Sequence, residues 1–105
     1  MNRRQLKKFK TQLKVKYELR LYIAGQTPKS IAAVANLQKL CAKYLKDQYH
    51  IQIVDLVKHP KLAKDDQIFV IPTLVRKLPK PVKYLLGDLS DTNKFLIGFD
   101  IKTID

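Results

Sequence analysis

Between Tyr17 and Ala24 apolar and polar positions alternate, with Tyr17, Leu19, Leu21 and Ile23 in one set and Glu18, Arg20 and Tyr22 in the other. A period of two puts the two sets on opposite faces of a β-strand, and Gly25 ends it. Thr27 then supplies a helix cap and Pro28 a first helical position, where proline's missing N–H costs no hydrogen bond. Ile31, Val34, Leu37, Cys41, Tyr44 and Leu45 follow at steps of three and four, with Lys39, Lys43 and Lys46 facing away. That stripe predicts an amphipathic helix ending near Tyr49. Residues 51–57 read as a second strand, and a long helix between two strands predicts a parallel βαβ unit. His59 and Pro60 break the pattern, residues 61–66 fit a turn of helix, and residues 67–76 form a third β-rich run interrupted by Pro72. A proline there gives up a ladder hydrogen bond, which places it at an edge or kink and favours the cis form. Beyond residue 81 the pattern divides. Residues 82–86 can form a strand, Gly87 and Asp88 a turn, and Ser90 or Asp91 the cap of a final helix, but the short run Tyr84, Leu85, Leu86 fits helix and strand equally.

The chain has 105 residues, enough for one hydrophobic core, and its 46% apolar and 29% charged residues are ordinary for a soluble globular domain. The net charge of +12 is not ordinary, and points to an anionic partner: nucleic acid, an anionic membrane surface or an acidic protein face. Much of it is N-terminal, where Arg3, Arg4, Lys7, Lys8, Lys10, Lys14 and Lys16 occur without an acidic residue. We therefore divide the chain into a basic extension, 1–16, and a domain, 17–105. The extension is either a solvated tail or, through Leu6, Phe9 and Leu13, a basic amphipathic helix. One cysteine, Cys41, excludes an internal disulfide, a CxxC motif and a cysteine-based zinc cluster, and its place on the helical stripe marks a small core residue. His50 and His59 lack a carboxylate spacing that would complete a metal site with them. No membrane-length apolar run or secretory leader is present, so a cytoplasmic protein is expected.

The stretch YIAGQTPKS runs from strand through glycine to helix. In a thioredoxin fold the two redox cysteines sit here, and the four corresponding places read Gln26, Thr27, Pro28 and Lys29. The IPTL turn matches the place where thioredoxin-like folds carry a cis-proline. AGQTPKS, VDLVKHPKLAKDD, IPTL and LPKPVKYLLGDLSD, in that order, resemble the KaiB family, small clock proteins that work with the KaiC ATPase; the likeness covers residues 17 to about 101.

The resemblance implies an α/β protein whose N-terminal half is a thioredoxin-like βαβ unit. Its C-terminal half would pack either as the KaiB tetrameric ground state or as a thioredoxin-like βαβαββα form. It implies that Gly87, Asp88 and Asp91, together with Pro72, help decide between the two folds. It also implies a non-enzymatic regulator of a KaiC-type hexameric ATPase, homo-oligomeric when free, with no cofactor. Lys58 matches a family cation that meets the ATPase ring, and Gln26 and Lys29 are at most binding residues. Two other family cations are missing, replaced by Ala32 and Gln52. These departures keep a second reading open, a KaiC-independent interaction module in stress adaptation.

No Ser/His/Asp series, glycine-rich phosphate loop or convergent carboxylate pair stands out, so no enzyme activity is expected. Thiol exchange has no cysteine in the redox loop and would have to use Cys41. Arg76, Lys77, Lys80 and Lys83 gather around Pro79 and Pro81 as a basic, rigid stretch. Of the aromatic residues only Tyr22, beside Arg20, approximates a base-stacking platform, which leaves nucleic acid a weaker alternative through the basic tail.

Overall fold

The computed structural model describes residues 2–3 and 15–102. The expected tail helix on Leu6, Phe9 and Leu13 lies outside the described residues. The elements are β1 (Tyr17–Ile23), α1 (Pro28–Tyr44), β2 (Tyr49–Asp55), a 3₁₀ turn (Pro60–Lys64), β3 (Thr73–Leu78), β4 (Lys83–Leu86) and α2 (Thr92–Gly98). They build one sheet of order β2-β1-β3-β4. β1 and β2 are parallel, in register from Tyr17↔Tyr49 to Ile23↔Asp55, and β3 runs antiparallel to both β1 and β4.

The alternation in β1 divides two cores. Tyr17, Leu19, Leu21 and Ile23 join Ala33, Leu37, Leu40 and Cys41 of α1, Leu74 of β3, and Phe95 and Phe99 at α2. Each large side chain buried there contributes about 1.5–3 kcal/mol. On the opposite face Tyr22, Val54 and Val75 are also buried, against Leu56, Leu62 and Ile68 from the connection after β2. A sheet covered on both faces buries even the positions that alternation assigns to water. Tyr22, fully buried, therefore cannot serve as a stacking platform.

Several boundaries differ from expectation. The helix stops at Tyr44, five residues early, because Leu45 to Gln48 turn the chain, with Lys46 at φ 54°, into a β2 that begins at Tyr49. Ile31, assigned to the buried stripe, is 53% exposed; Ala33 and Leu40 take up the buried face instead. β2 ends at Asp55, not at residue 57. The turn of helix expected at residues 61–66 is present as a short 3₁₀ element, Pro60–Lys64. The third strand begins at Thr73, after Pro72, because Ile68 dips into the second core and Phe69 stands out, 91% exposed. The peptide bond before Pro72 is cis, as are those before Pro79 and Pro81. The ambiguous second half forms strand, turn and helix, with Asp91 as the cap: its side chain accepts from Lys94 N.

Candidate functional site

One end of the sheet gathers the loops that carry the binding and fold-switch residues singled out in the sequence. β1, β2 and β4 finish there and β3 starts there, so Gln26, Lys29, Lys58, Pro72, Gly87, Asp88 and Asp91 all lie around it. Three sets of hydrogen bonds hold these loops to one another.

The first set centres on Asp55, which the parallel register places beside Ile23. Its Oδ1 accepts from Gly25 N and from Val57 N, both at 3.0 Å, and its carbonyl accepts from Lys58 N and His59 N at 3.1 and 2.9 Å. Gly25, at φ +63°, can turn the chain there without the strain an L side chain would bring. The amides of Gly25 and Val57, with the nearby Lys58 charge, hold the Asp55 carboxyl below the usual carboxylate range. Asp55 thus ties the loop carrying Gln26 and Lys29 to the loop carrying Lys58. Sequence reading missed it; an aspartate ending the strand parallel to β1 was the available signal.

In the β1–α1 loop the places of the redox cysteines have structural duties. Thr27 Oγ1 accepts from Ser30 N at 3.2 Å, Pro28 opens the helix, and Gln26 and Lys29 are exposed. The cap stabilises α1 by about 1 kcal/mol. Buried Ser30 completes the turn: its hydroxyl accepts from Ala24 N at 3.1 Å and from the Thr27 hydroxyl at 2.8 Å. No thiol stands in this loop, and burial pushes the Cys41 thiol up to about 12, far from a reactive thiolate.

The second and third sets hold the region after β4. Gly87 N donates to Pro72 O at 2.9 Å, and Asn36 of α1 donates to Asp88 O at 2.9 Å. Gly87 sits at φ +103° with open space where a Cβ would be, so its requirement is purely one of backbone conformation. Asp88 Oδ1 accepts from Ser90 N at 3.0 Å, and the hydrogen bonds from Ser90, aided by Lys29, hold its carboxyl below the usual range. Asp88 fastens a turn; the helix cap falls to Asp91 alone.

The basic stretch around Pro79 and Pro81 is not one surface. Arg76 is buried at 2% exposure and donates to Phe99 O and Pro81 O, while Lys83 reaches Asp100 at 2.7 Å on the helix side of the sheet. Lys77 turns to the other face and pairs with Asp66. Asp66, 5% exposed, also accepts from Tyr22 OH at 2.7 Å and Arg20 at 3.1 Å. Arg20 reaches in addition Gln52 Oε1 at 3.0 Å, so this glutamine holds the β1 arginine. Asp66 and Asp100, the two acids that organise this charge, were not legible as such. Among the described residues no group of three or more His, Cys, Asp or Glu converges as for a metal ion, and no helix is long and apolar enough to cross a membrane.

The sheet order, the cis-proline beside the β1–α1 turn and the helix on the core face define a thioredoxin-like protein whose redox loop carries no thiol. Solved structures agree on the fold: the N-terminal domain of Synechococcus elongatus SasA (TM-score 0.65, 23% identity, 87% of this chain and 90% of that one) and mitochondrial thioredoxin 3 from Saccharomyces cerevisiae (TM-score 0.65, 18% identity, 90% and 88%). The KaiB domain model matches residues 20–101. The circadian clock protein KaiB3 of Synechocystis sp. is 43% identical over 83 residues, covering 79% of this chain and 81% of that protein. The circadian clock oscillator protein KaiB of Thermosynechococcus vestitus is 43% identical over 89 residues, 85% of this chain and 82% of that one. The chain belongs to the KaiB family.

Proposed function

We propose that the chain is a non-enzymatic, cytoplasmic clock-type regulator that docks through this loop end on a KaiC-type hexameric ATPase and modulates its phosphorylation and ATPase cycle. The observation that carries the reading is the pairing of two exposed loops through Asp55, which sets Lys29 and Lys58 on one rigid end of the sheet. Interfacial cations steer association and can contribute more than exposed ion pairs. Residues 17–105 form the docking domain, residues 1–16 a basic extension, and the free protein is a homo-oligomer. Gly87, Asp88 and Asp91, opposite Pro72, are the positions at which the second half changes its packing between the two family folds. That change needs a gap of only a few kcal/mol between packings.

The test is size-exclusion chromatography with light scattering, on the protein alone and after a day with a KaiC-type ATPase and ATP, at two salt concentrations. A heavier complex that forms slowly, and that Lys58→Glu weakens, supports the proposal. Absence of a complex at either salt overturns it. That result would favour the KaiC-independent stress module, which Ala32 and Gln52 support, being uncharged where the family resemblance implies cations.

A further inference from the structure

The opposite end of the sheet, where β1 begins and β3 turns into β4, holds an open groove of about 1020 Å³. Lys16, Lys43, Lys46, Lys80 and Lys102 border it, all exposed. Two of them are steered by aromatic rings: Lys16 Nζ lies 5.7 Å from the Tyr17 ring centroid and Lys43 Nζ 5.2 Å from that of Tyr44. The carboxylates facing the groove are Asp47 and Asp100. Asp100 is already shared, 2.7 Å from Lys83 and 3.8 Å from Arg76.

Arg76 is the second, independent observation. It lines the groove at 2% exposure, and its terminal nitrogens donate to Phe99 O and Pro81 O. Its Nε–H has no acceptor. A buried donor without an acceptor is costly, and a buried charge is normally matched by an opposite one. Here two cations divide one carboxylate, which leaves uncompensated positive charge beneath a lysine rim. The basic extension enters the domain at Lys16, on this same rim.

We propose that this groove binds a phosphate-bearing polyanion, a nucleic-acid backbone or a polyphosphate chain. Phosphate is favoured over an acidic protein on two grounds. Protein interfaces deplete lysine and centre on an exposed apolar core, whereas here Tyr17, Leu45 and Ile101 are buried in the domain, Tyr44 and Pro79 are half-buried and only Pro81 is exposed. The exposed cations of this rim are also all lysines, point charges that neutralise a closely spaced phosphate backbone and release its counterions. With no exposed aromatic platform in the groove, binding should read charge and not base sequence. The site lies at the far end of the sheet from Lys58, so it stands apart from the ATPase reading.

The experiment is fluorescence anisotropy of a labelled oligothymidylate with the full chain across a salt series, with polyphosphate and polyglutamate as competitors. Binding that weakens steeply with salt is expected, with polyphosphate displacing the oligonucleotide and polyglutamate failing to. In the triple variant Lys46→Gln, Lys80→Gln, Lys102→Gln the slope of log affinity against log salt should fall by about one for each lysine neutralised. If polyphosphate displaces the label at far lower phosphate concentration than unlabelled oligothymidylate does, the preferred source is the phosphoanhydride chain; equal displacement marks a general phosphate-backbone site. An unchanged slope in the triple variant, displacement by polyglutamate as effective as by polyphosphate, or no binding of the oligonucleotide at low salt would each overturn the proposal. Lys58→Glu should leave this binding intact and the triple variant should leave ATPase-complex formation intact, so failure of one reading is distinguishable from failure of the other.

Discussion

Replacing Asp66 by alanine removes the acceptor at the centre of the outer face of the sheet. Three donors lose this acceptor: Tyr22 OH at 2.7 Å, Arg20 at 3.1 Å, and Lys77. They do not lose it equally. The Tyr22 residue is 0% exposed, whereas the Arg20 and Lys77 side chains are 22% and 30% exposed and can turn toward water. The Tyr22 hydroxyl keeps the 3.3 Å hydrogen bond it accepts from Arg20, but its O–H is left without an acceptor, which costs about 1–3 kcal/mol, and loss of partly exposed ion pairs adds about 1 kcal/mol or less. We therefore expect a loss of about 2–3 kcal/mol, below the roughly 3–5 kcal/mol of a wholly buried broken pair. For a domain of this size that is a fall in Tm of roughly 10–20 °C.

Urea unfolding followed by far-UV circular dichroism at pH 7 measures it, with Tyr22→Phe as companion. Tyr22→Phe removes the donor and leaves Asp66 with its cations, so the double variant should recover part of the Asp66→Ala loss. The acid dependence has a defined sign. Burial acts to raise the Asp66 pKa, but hydrogen bonds from Lys77 and Tyr22 and the charges of Lys77 and Arg20 outweigh it and hold it below the ordinary value. The unfolded carboxyl titrates near 3.9, so the ionised cluster's stabilisation is fully present above about pH 4–5 and is lost as pH falls through the lower folded value. Asp66→Ala should flatten that part of the acid limb. A variant within about 0.5 kcal/mol of the parent, with an unchanged acid limb, would refute the reasoning.

Phe95→Ala should cost about 3–5 kcal/mol, because the ring is fully buried and meets Phe99 edge-on at a centroid separation of 5.7 Å; chemical denaturation reads it, and a loss under about 1 kcal/mol would contradict the packing. Gly87→Ala meets no neighbouring atom, so its cost is the positive φ alone, on the order of 1–2 kcal/mol; a larger loss would mean that the site is crowded. The Cys41 thiol, fully buried and pushed up to about 12, should resist a thiol reagent in the native protein at pH 8 and react after unfolding; rapid native labelling would show that the helix face opens.

Local signals were enough for the first half of the chain. Period-two alternation in β1, the Thr27 cap with Pro28 and the three-and-four stripe of α1 depend on residues close in sequence, and all three appear in the structure. Errors arose where distant residues decide. Ile31 lies on the helical stripe but beyond the reach of the sheet, and α1 ends early because the chain must turn to bring Tyr49 beside Tyr17. The run Tyr84, Leu85, Leu86 carries no helix-or-strand preference of its own, and pairing with β3 makes it a strand.

The candidate site divides in the same way. The sequence by itself determined that the redox loop holds no thiol, because residue identity alone settles whether a nucleophile exists. It also placed Lys58 just after a strand and Gly87 in a turn, and read Pro72 as a kink within a β run that the structure starts only at Thr73. Only the tertiary structure decided that these loops share one end of the sheet and that Asp55 joins two of them. It alone split the apparent cluster of Arg76, Lys77 and Lys83, with Arg76 and Lys83 turned to Asp100 and Lys77 to Asp66. The physical reason is that strand geometry sends neighbouring side chains to opposite faces, while the carboxylates that neutralise them arrive from parts of the chain 11 to 24 residues away.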